Sequence, residues 1–286
     1  MAFSDLQLKV ATEKSIQAAH KNLAPISLFS TSFSELEGKF GEAVAVPYYN
    51  LSASSEFDAS TNNYVTNAET PDGCLVNLDK HYVKSVKITD RQLAETGVNW
   101  IGQSTEAITD TLTRAMNKAV FGQLSACELT ADVTLTTKAA VANLYAVAEA
   151  NDIPVDRAVV VLTPSNYATV LGLVGDASIY GGTEAIRGGV IPGMFGFKAV
   201  LCTSNLPASL SADGAIIADS AIGVAGRYLE SGTPDMYQDM FRVDTEDGLP
   251  IGFRRFARVE DGSNYLAGEI LFGTKVIQAD KIVILK

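Results

Sequence analysis

From residue 91 to residue 124 the chain contains no proline and carries apolar residues at intervals of four or seven. This spacing predicts a helix of six or more turns with one apolar side, because such residues fall on one side of an α-helix. A second set at intervals of four predicts a solvated charged face. The apolar stripe is Ile101, Ile108, Leu112, Met116, Val120 and Leu124, and the charged set is Glu106, Asp110, Arg114 and Lys118. The fold must therefore bury one side of a long helix.

The residues before this helix offer little core of their own. Ser4 predicts the start of a short amphipathic helix that Pro25 ends, and the stretch after it has no firm periodicity. The N-terminal residues also lack the apolar core of a signal peptide. We therefore expect an extended arm that lies on another surface.

A long hairpin is predicted next. Residues 43–50 read as an edge strand, because Pro47 cannot donate a ladder hydrogen bond. After a polar stretch the pattern alternates, with Val76 and Leu78 on one face, which predicts a returning strand. Since an isolated hairpin is marginal in water, this one should lie on something, for example a neighbouring chain.

The middle of the chain reads as α/β and the last fifty residues as strands. A helix is expected within residues 136–152, with Val141, Leu144, Tyr145 and Ala148 on one side. A buried strand should follow at residues 158–162, and a helix should begin at Pro164. Further strands are predicted in FKAVLC, GAIIA, IGFRRFARVE, YLAGEILFG and TKVIQADKIVILK.

Composition excludes several classes of protein. The chain has 286 residues, 47% of them hydrophobic and 19% charged, which indicates a globular protein. Its net charge of −11 argues against a dedicated nucleic-acid binder, which needs a basic face. The cysteines Cys74, Cys127 and Cys202 are odd in number and far apart, so they form no disulfide framework and favour a reducing compartment. No signal peptide or membrane segment is expected, so we predict a soluble cytoplasmic product, and the acidity favours solubility at high concentration.

No residue pattern predicts catalysis, a metal site or a cofactor. Asp79 and His81 share a strand face, but no third ligand is evident, and His20 has no carboxylate or nucleophile beside it in a motif. Ser165 opens a helix without the glycines of a nucleophile elbow. Cys127 and Cys202 have no basic partner near them in the sequence that would lower a thiol pKa.

The run RGGVIPGMFGF holds four glycines in eleven residues. It matches neither a dinucleotide fingerprint nor a P-loop, and a strand rather than a helix follows it. Glycines at this density indicate a sharp bend or the close approach of something else. The candidate residues are Arg187, Gly188, Gly189, Gly193 and Gly196.

The order of these parts resembles the major capsid proteins of tailed bacteriophages, which have the Hong Kong 97-type fold. GEAVAVPYYN and VNLDKHYVKSVKITDRQL resemble the two sides of the extended loop, and NWIGQSTEAITDTLTRAMNKAVFGQL resembles the spine helix. RAVVVLTPSNYATVL and IRGGVIPGMFGFKAVLCTSNLP are similar to parts of the axial domain. GFRRFARVEDGSNYLAGEILFGTKVIQADKIVIL resembles the closing strands of the peripheral domain.

The resemblance implies an α+β fold in five parts. They are an N-terminal arm (1–42), an extended β-hairpin loop (43–90), a first part of the peripheral domain with the spine helix (91–134), an axial α/β domain (135–236) and a second part of the peripheral domain (237–286). The glycine run would then lie where several copies converge around the centre of a pentamer or hexamer.

The resemblance also implies a structural function. The chain would assemble with itself into pentamers and hexamers of an icosahedral shell around double-stranded DNA, and it would contact that DNA without reading sequence. A separate scaffolding protein, a portal and a decoration protein are further expected partners. The shell would be assembled in the host cytoplasm and remain in the virion, and no enzymatic activity, cofactor or metal is expected.

Three arginines of the FRRFAR segment are candidates for pairing with acids on a neighbour's hairpin, and a solvated strand face is the alternative. The candidates are Arg254, Arg255 and Arg258, with Glu56, Asp58 and Glu69. An encapsulin-type shell around protein cargo is the nearest rival function. An α/β enzyme with an unrecognised cleft, or another virion protein such as a tail-tube subunit, remain further alternatives.

Overall fold

The structure is a computed structural model. It describes residues 23–33, 43–48, 60, 72–91, 100–175, 191, 195–229, 237, 239–245, 248–258, 260 and 262–286. Within these ranges the helices are α1 (Trp100–Gly122), α2 (Lys138–Ala150) and α3 (Pro164–Gly175). Short 3-10 helices extend α1 at Gln123–Ala126 and precede a strand at Val155–Arg157.

A six-stranded sheet forms one layer. Its strands are β1 (Ser30–Phe33), β4 (Lys80–Thr89), β9 (Ile222–Arg227), β10 (Asp239–Asp244), β11 (Pro250–Arg258) and β12 (Ser263–Val276). Strand β12 is the centre of this sheet, since it pairs antiparallel with β4, β9 and β11. Strand β1 joins parallel to β9, and β10 joins antiparallel to β11.

A second sheet has five strands and is flanked by α3. Its strands are β5 (Thr130–Ala131), β6 (Ala158–Leu162), β7 (Ala199–Cys202), β8 (Gly214–Ala218) and β13 (Ile282–Leu285). Every residue of β6, β8 and β13 is buried, as expected of strands that are covered on both faces. The predicted buried strand at residues 158–162 and the helix start at Pro164 are thus confirmed.

The base of the predicted hairpin is a two-stranded ribbon, in which β2 (Ala43–Tyr48) pairs antiparallel with β3 (Asp72–Asn77). Pro47 lies in an edge strand, as its missing N–H requires. The ribbon's buried side packs Val44, Val46 and Val76 against Ala225 of β9. The return strand then continues as β4 in the six-stranded sheet, so this part of the hairpin lies on its own chain.

Helix α1 lies across β12 and β4 and buries the predicted stripe. Ile108, Leu112, Met116, Val120 and Leu124 are all buried, whereas Ile101 is only partly buried. The pattern did not predict Trp100, Asn117 and Phe121, which are also buried. The buried side of α1 is therefore wider than the predicted stripe, because α1 also packs against residues outside the sheet.

Helix α2 corrects one prediction. Val141, Leu144 and Ala148 are buried as expected, but Tyr145 is 46% exposed. The Tyr145 hydroxyl interacts with Glu149 one turn later, and this hydrogen bond raises the pKa of the phenol. The aromatic ring therefore lies at the edge of the buried side of α2 and not on it.

Strand pairing joins segments on either side of the predicted boundary between residues 236 and 237, and the five-part division itself stays a prediction. Strand β9 falls within the predicted axial range 135–236 but pairs with β12 in the six-stranded sheet. Strand β13 falls within the predicted peripheral range 237–286 but pairs with β8 in the five-stranded sheet. The two sheets exchange these strands, so neither sheet is built from one continuous segment.

Candidate assembly surfaces

Strand alternation divides the FRRFAR arginines between two faces of the six-stranded sheet. Gly268 of β12 faces α1, because a Cβ added there would meet Ile108. The same Cβ would approach Phe253 at 3.0 Å, so Phe253 lies on this face as well. Arg255 follows two residues later and therefore lies on the same face. Consistent with this, the Arg255 guanidinium lies 5.8 Å from the centre of the Trp100 ring. Arg254 and Arg258 therefore belong to the opposite face.

We call this opposite side the distal face, and define it by Arg254, Phe256, Arg258, Tyr265 and Glu269. Its aromatic centre is the Phe256–Tyr265 pair, whose rings stack with centroids 5.2 Å apart and planes 4° from parallel. The Arg258 guanidinium lies 5.7 Å from the Tyr265 centroid. Lys87 of β4, which pairs with Tyr265 in register, places its Nζ 5.5 Å from the same ring. Two cations thus share one aromatic ring.

Arg254 is held within its own chain. It forms an ion pair with Glu269, donates to the Leu229 carbonyl at 3.2 Å and to the Tyr237 hydroxyl at 3.3 Å. The Arg254 side chain is 20% exposed and that of Glu269 only 12%. Glu269 is also 3.2 Å from Nε2 of His81, so His81 contacts a carboxylate that sequence reading did not pair with it.

The three arginines are consequently not equivalent candidates for contact with another subunit. Arg254 is engaged by Glu269, and Arg255 lies against Trp100 on the α1 side. Arg258 is exposed at the end of β11, where its charge meets solvent. Of the three, Arg258 is exposed, whereas Arg254 and Arg255 are half-buried.

An exposed apolar residue lies on the distal face. Val83 on β4 is 57% exposed, and it pairs in register with Glu269, which places it on this face. A single exposed apolar residue is ordinary, but this one accompanies arginine and aromatic rings, which are enriched at protein interfaces.

The glycine run is described only in part. Ile191 is buried, and its N–H donates to the Tyr167 hydroxyl of α3 at 2.9 Å. Phe195 and Gly196 follow with φ of 53° and 87°. Two consecutive left-handed residues turn the chain sharply just before β7, as the glycine content predicts. Gly196 is thus a bend residue by its own backbone geometry.

A cleft that the sequence did not reveal lies between α1 and the end of β7. Its lining includes Arg114, Lys118 and Cys202, together with the residues that follow Cys202. Cys202 therefore has basic side chains near it in space although none is near in sequence. Cys127 differs, because burial alone raises the pKa of its thiol and keeps it protonated.

Other kinds of site are not found in the described part of the chain. Across those residues no three His, Cys, Asp or Glu side chains converge as metal ligands. None of the helices described is both long and apolar enough to cross a membrane. The surface features that the described residues present are the distal face, the bend at Gly196 and the cleft beside α1.

Comparison with known families shows which family the chain belongs to. A family model described as phage capsid protein matches residues 76–268, which is more than half of the chain. The chain belongs to the phage capsid protein family. The match runs from the end of the ribbon strand β3 through α1 and four strands of the five-stranded sheet into β12, so it includes Arg254, Phe256, Arg258 and Tyr265 of the distal face.

Solved structures share the fold of this capsid protein over nearly its whole length. That of Mycobacterium phage Che8 has a TM-score of 0.67 at 14% identity, covering 97% of this chain and 96% of the other. The capsid of Cyanophage P-SCSP1u gives 0.65 at 17% identity, covering 99% and 93%. A virus-like particle from Pyrococcus furiosus gives 0.53 at 12% identity, covering 91% and 90%. No curated protein sequence matches the chain.

These findings confirm the predicted α+β capsid fold and identify the chain as a phage capsid protein, a structural protein. The division into five named parts stays a prediction. Of the predicted assembly residues, the structure describes Arg254, Arg255, Arg258 and Gly196. The others lie outside the described residues: Glu56, Asp58, Glu69, Arg187, Gly188, Gly189 and Gly193.

Proposed function

We propose that this capsid protein assembles with itself into pentamers and hexamers, and that the resulting icosahedral shell encloses double-stranded DNA. The observation that carries the proposal is the family match across residues 76–268 on a fold that capsid structures share over nearly their full length. The protein acts as a building block and has no enzymatic activity. Its contact with the genome is nonspecific, since the chain carries a net charge of −11.

Assembly into closed rings requires heterologous contacts, in which one patch of a subunit meets a different patch on the next. We assign the distal face as one of these patches. Arg258 lies exposed beside the Tyr265 ring, and the exposed Val83 adds apolar area on the same face. The complementary patch is the acidic part of the hairpin, which carries Glu56, Asp58 and Glu69.

The three arginines have different roles in this contact. Arg258 pairs with the neighbour's hairpin acids, whereas Arg254 shapes the face through Glu269 and Arg255 fixes the strand against Trp100. The glycine run, with Arg187, Gly188, Gly189, Gly193 and Gly196, lies at the centre of a ring. There the turn at Phe195 and Gly196 lets neighbouring copies approach closely.

The remaining partners follow from the same assignment. A separate scaffolding protein directs assembly, a portal occupies one vertex, and a decoration protein binds the finished shell. Assembly takes place in the host cytoplasm, and the protein remains in the virion.

Electron microscopy of the purified protein, with sedimentation alongside, tests the function. Closed shells or hexamer-like rings are expected, and native particles should contain nuclease-protected double-stranded DNA. Particles that hold a protein cargo and no DNA would assign the chain to an encapsulin-type compartment. A monomer or dimer that never assembles, even at high concentration with lysate present, would overturn the capsid assignment and reopen the enzymatic alternative.

Charge reversal tests the contact itself. Arg258→Glu should abolish or strongly slow shell formation, and reversing one hairpin acid, such as Glu56→Arg, Asp58→Arg or Glu69→Arg, should restore it in the same chain. Arg157→Glu is the matched control, because Arg157 is also exposed but belongs to the turn before β6. Normal assembly of Arg258→Glu would mean that the distal face is a solvated strand face.

A further inference from the structure

The cleft beside α1 has a volume of about 240 Å³ and is partly open to solvent. Helix α1 forms one wall with Arg114, Ala115 and Lys118. The residues from Cys202 to Asn205 form the facing wall, and Leu23 and Ala24 close one end. Ala115 lies between the two cations and leaves room at the middle of the helix wall.

The charge of this lining is unusual for the chain. Acids outnumber bases, with 33 Asp and Glu against 22 Lys and Arg, yet the described lining has two cations and no carboxylate. Arg114 and Lys118 are four residues apart on α1, so their side chains lie on one side of the helix. Asp110 partly offsets the charge of Arg114, whereas Lys118 has no such partner among the described residues, so an anion in the cleft gains attraction mainly from Lys118.

The two cations differ in how firmly they are held. Nε of Arg114 donates to Asp110 at 2.8 Å, which orients the guanidinium and raises its pKa further above its ordinary value. Lys118 is exposed and forms no ion pair with the residues that the structure describes. The cleft thus combines one oriented planar donor with one mobile ammonium group.

The facing wall is rigid and polar. The buried Thr203 hydroxyl accepts a hydrogen bond from the Asn205 N–H at 3.1 Å, and Asn205 Nδ2 donates to Asn117 Oδ1 at 2.7 Å. These bonds hold the backbone on both sides of Ser204, an exposed lining residue whose hydroxyl can act as a donor. A hydroxyl wall facing two cations suits a tetrahedral oxyanion with several acceptor oxygens.

We propose that this cleft binds a phosphate group through Arg114, Lys118 and the Ser204 hydroxyl. The shared chemistry is a phosphate oxyanion, which free inorganic phosphate and the phosphodiester backbone of DNA both supply. The inference goes beyond the proposed shell function and does not rest on it, because binding to a single subunit needs no shell.

Cys202 supplies a direct readout, since its thiol is partly exposed in the same cleft while Cys74 and Cys127 are buried. Two thiol reagents are compared, the doubly negative DTNB and the neutral iodoacetamide, through the ratio of their rates of modification. This rate ratio should be higher at Cys202 than at a thiol without nearby cations. Lys118→Gln should lower this rate ratio about fivefold, the size expected for losing one nearby charge at a partly exposed site. The control Lys275→Gln removes an exposed lysine of β12 and should leave the ratio unchanged.

Ligand protection then tests the occupant. Inorganic phosphate should slow the labelling of Cys202 by both reagents in the full-length protein, and calorimetric titration with phosphate should show binding that Lys118→Gln weakens. Protection by phosphate alone identifies a free ion, whereas protection by a short DNA duplex that fades with added salt identifies a phosphodiester. Absence of phosphate binding in the calorimeter, or an unchanged rate ratio in Lys118→Gln, would overturn the proposal and leave the shell function untouched.

Discussion

Nδ2 of Asn205 donates a hydrogen bond of 2.7 Å to Oδ1 of Asn117, joining the turn after β7 to the middle of α1. Asn117 is 1% exposed and in turn donates from its own Nδ2 to the Ala24 carbonyl at 2.9 Å. One buried amide therefore links three parts of the chain: the segment before β1, the long helix and the five-stranded sheet. A buried amide that satisfies both of its neighbours is specific, because no apolar side chain can replace it.

Asn117→Ala should lower the free energy of unfolding of the unassembled subunit by about 1–3 kcal/mol, since it leaves the Ala24 carbonyl and the Asn205 amide without partners. Urea denaturation followed by circular dichroism measures this loss. Asn166→Ala is the control, because that side chain makes one hydrogen bond near the surface and should cost about 0.5 kcal/mol or less. Additive losses for Asn117→Ala and Asn205→Ala in a double-mutant cycle would contradict the coupling.

Gly273→Ala should prevent proper packing of β12 against the end of β3. A Cβ at residue 273 would collide with the backbone carbonyl of Asn77 and lie 3.2 Å from the N of Leu78, and a backbone atom cannot move aside as a side chain can. We expect a loss of more than about 3 kcal/mol, seen as insoluble expression or a lowered melting temperature. Gly172→Ala in α3 has open space around it and should instead stabilise by about 0.5–1 kcal/mol. Equal behaviour of the two variants would show that the close approach at Gly273 is absent.

Glu269→Gln should destabilise the subunit by about 1–3 kcal/mol, because it removes the anion that Arg254 faces in a mostly buried setting. Arg242→Gln, which breaks the pair between Arg242 and Asp244, should change stability by about 0.5 kcal/mol or less, since both of those side chains are well exposed. Thermal unfolding of the two variants at one salt concentration compares them. A larger effect for Arg242→Gln would reverse the ranking by burial on which this prediction depends.

Cys127 should respond to pH in a defined direction. Burial raises its thiol pKa, so the folded state holds the proton more tightly than the unfolded state does. The stabilising contribution is complete below the unfolded thiol pKa of about 8.5 and is lost as pH rises through the folded pKa. Between pH 8 and pH 10 the wild type should therefore lose more stability than Cys127→Ala. Mass spectrometry after alkylation at pH 8 should also find Cys202 modified well before Cys127.

The periodic elements were predictable from sequence, and the reason is local. The stripe on α1 and the five apolar residues of β6 follow from side-chain spacing within one element. The destinations of β9 and β13 were not predictable in this way, because an apolar strand does not encode which sheet it joins. The register of Ile282 opposite Ile217 depends on contacts between residues far apart in the chain.

The candidate sites show the same difference between features encoded within one element and features that depend on packing between distant segments. The separation of Arg255 from Arg254 and Arg258 follows from alternation along one strand and was within reach of the sequence. The approach of Cys202 to Arg114 and Lys118 was not, since these residues lie far apart in the chain and only the folded structure brings them to one cleft. For Tyr145 the local pattern gave a wrong prediction. Its spacing placed the ring on the buried side of α2, whereas the residue is 46% exposed.

The exchange of strands between the two sheets has a consequence for synthesis on the ribosome. Both β12 and β13 lie beyond residue 262, and each completes a different sheet. A nascent chain that has not yet reached them has two unfinished sheets and no central strand for α1 to cover. A chain that terminates before residue 263 would thus lack Tyr265 and Glu269, and with them part of the distal face.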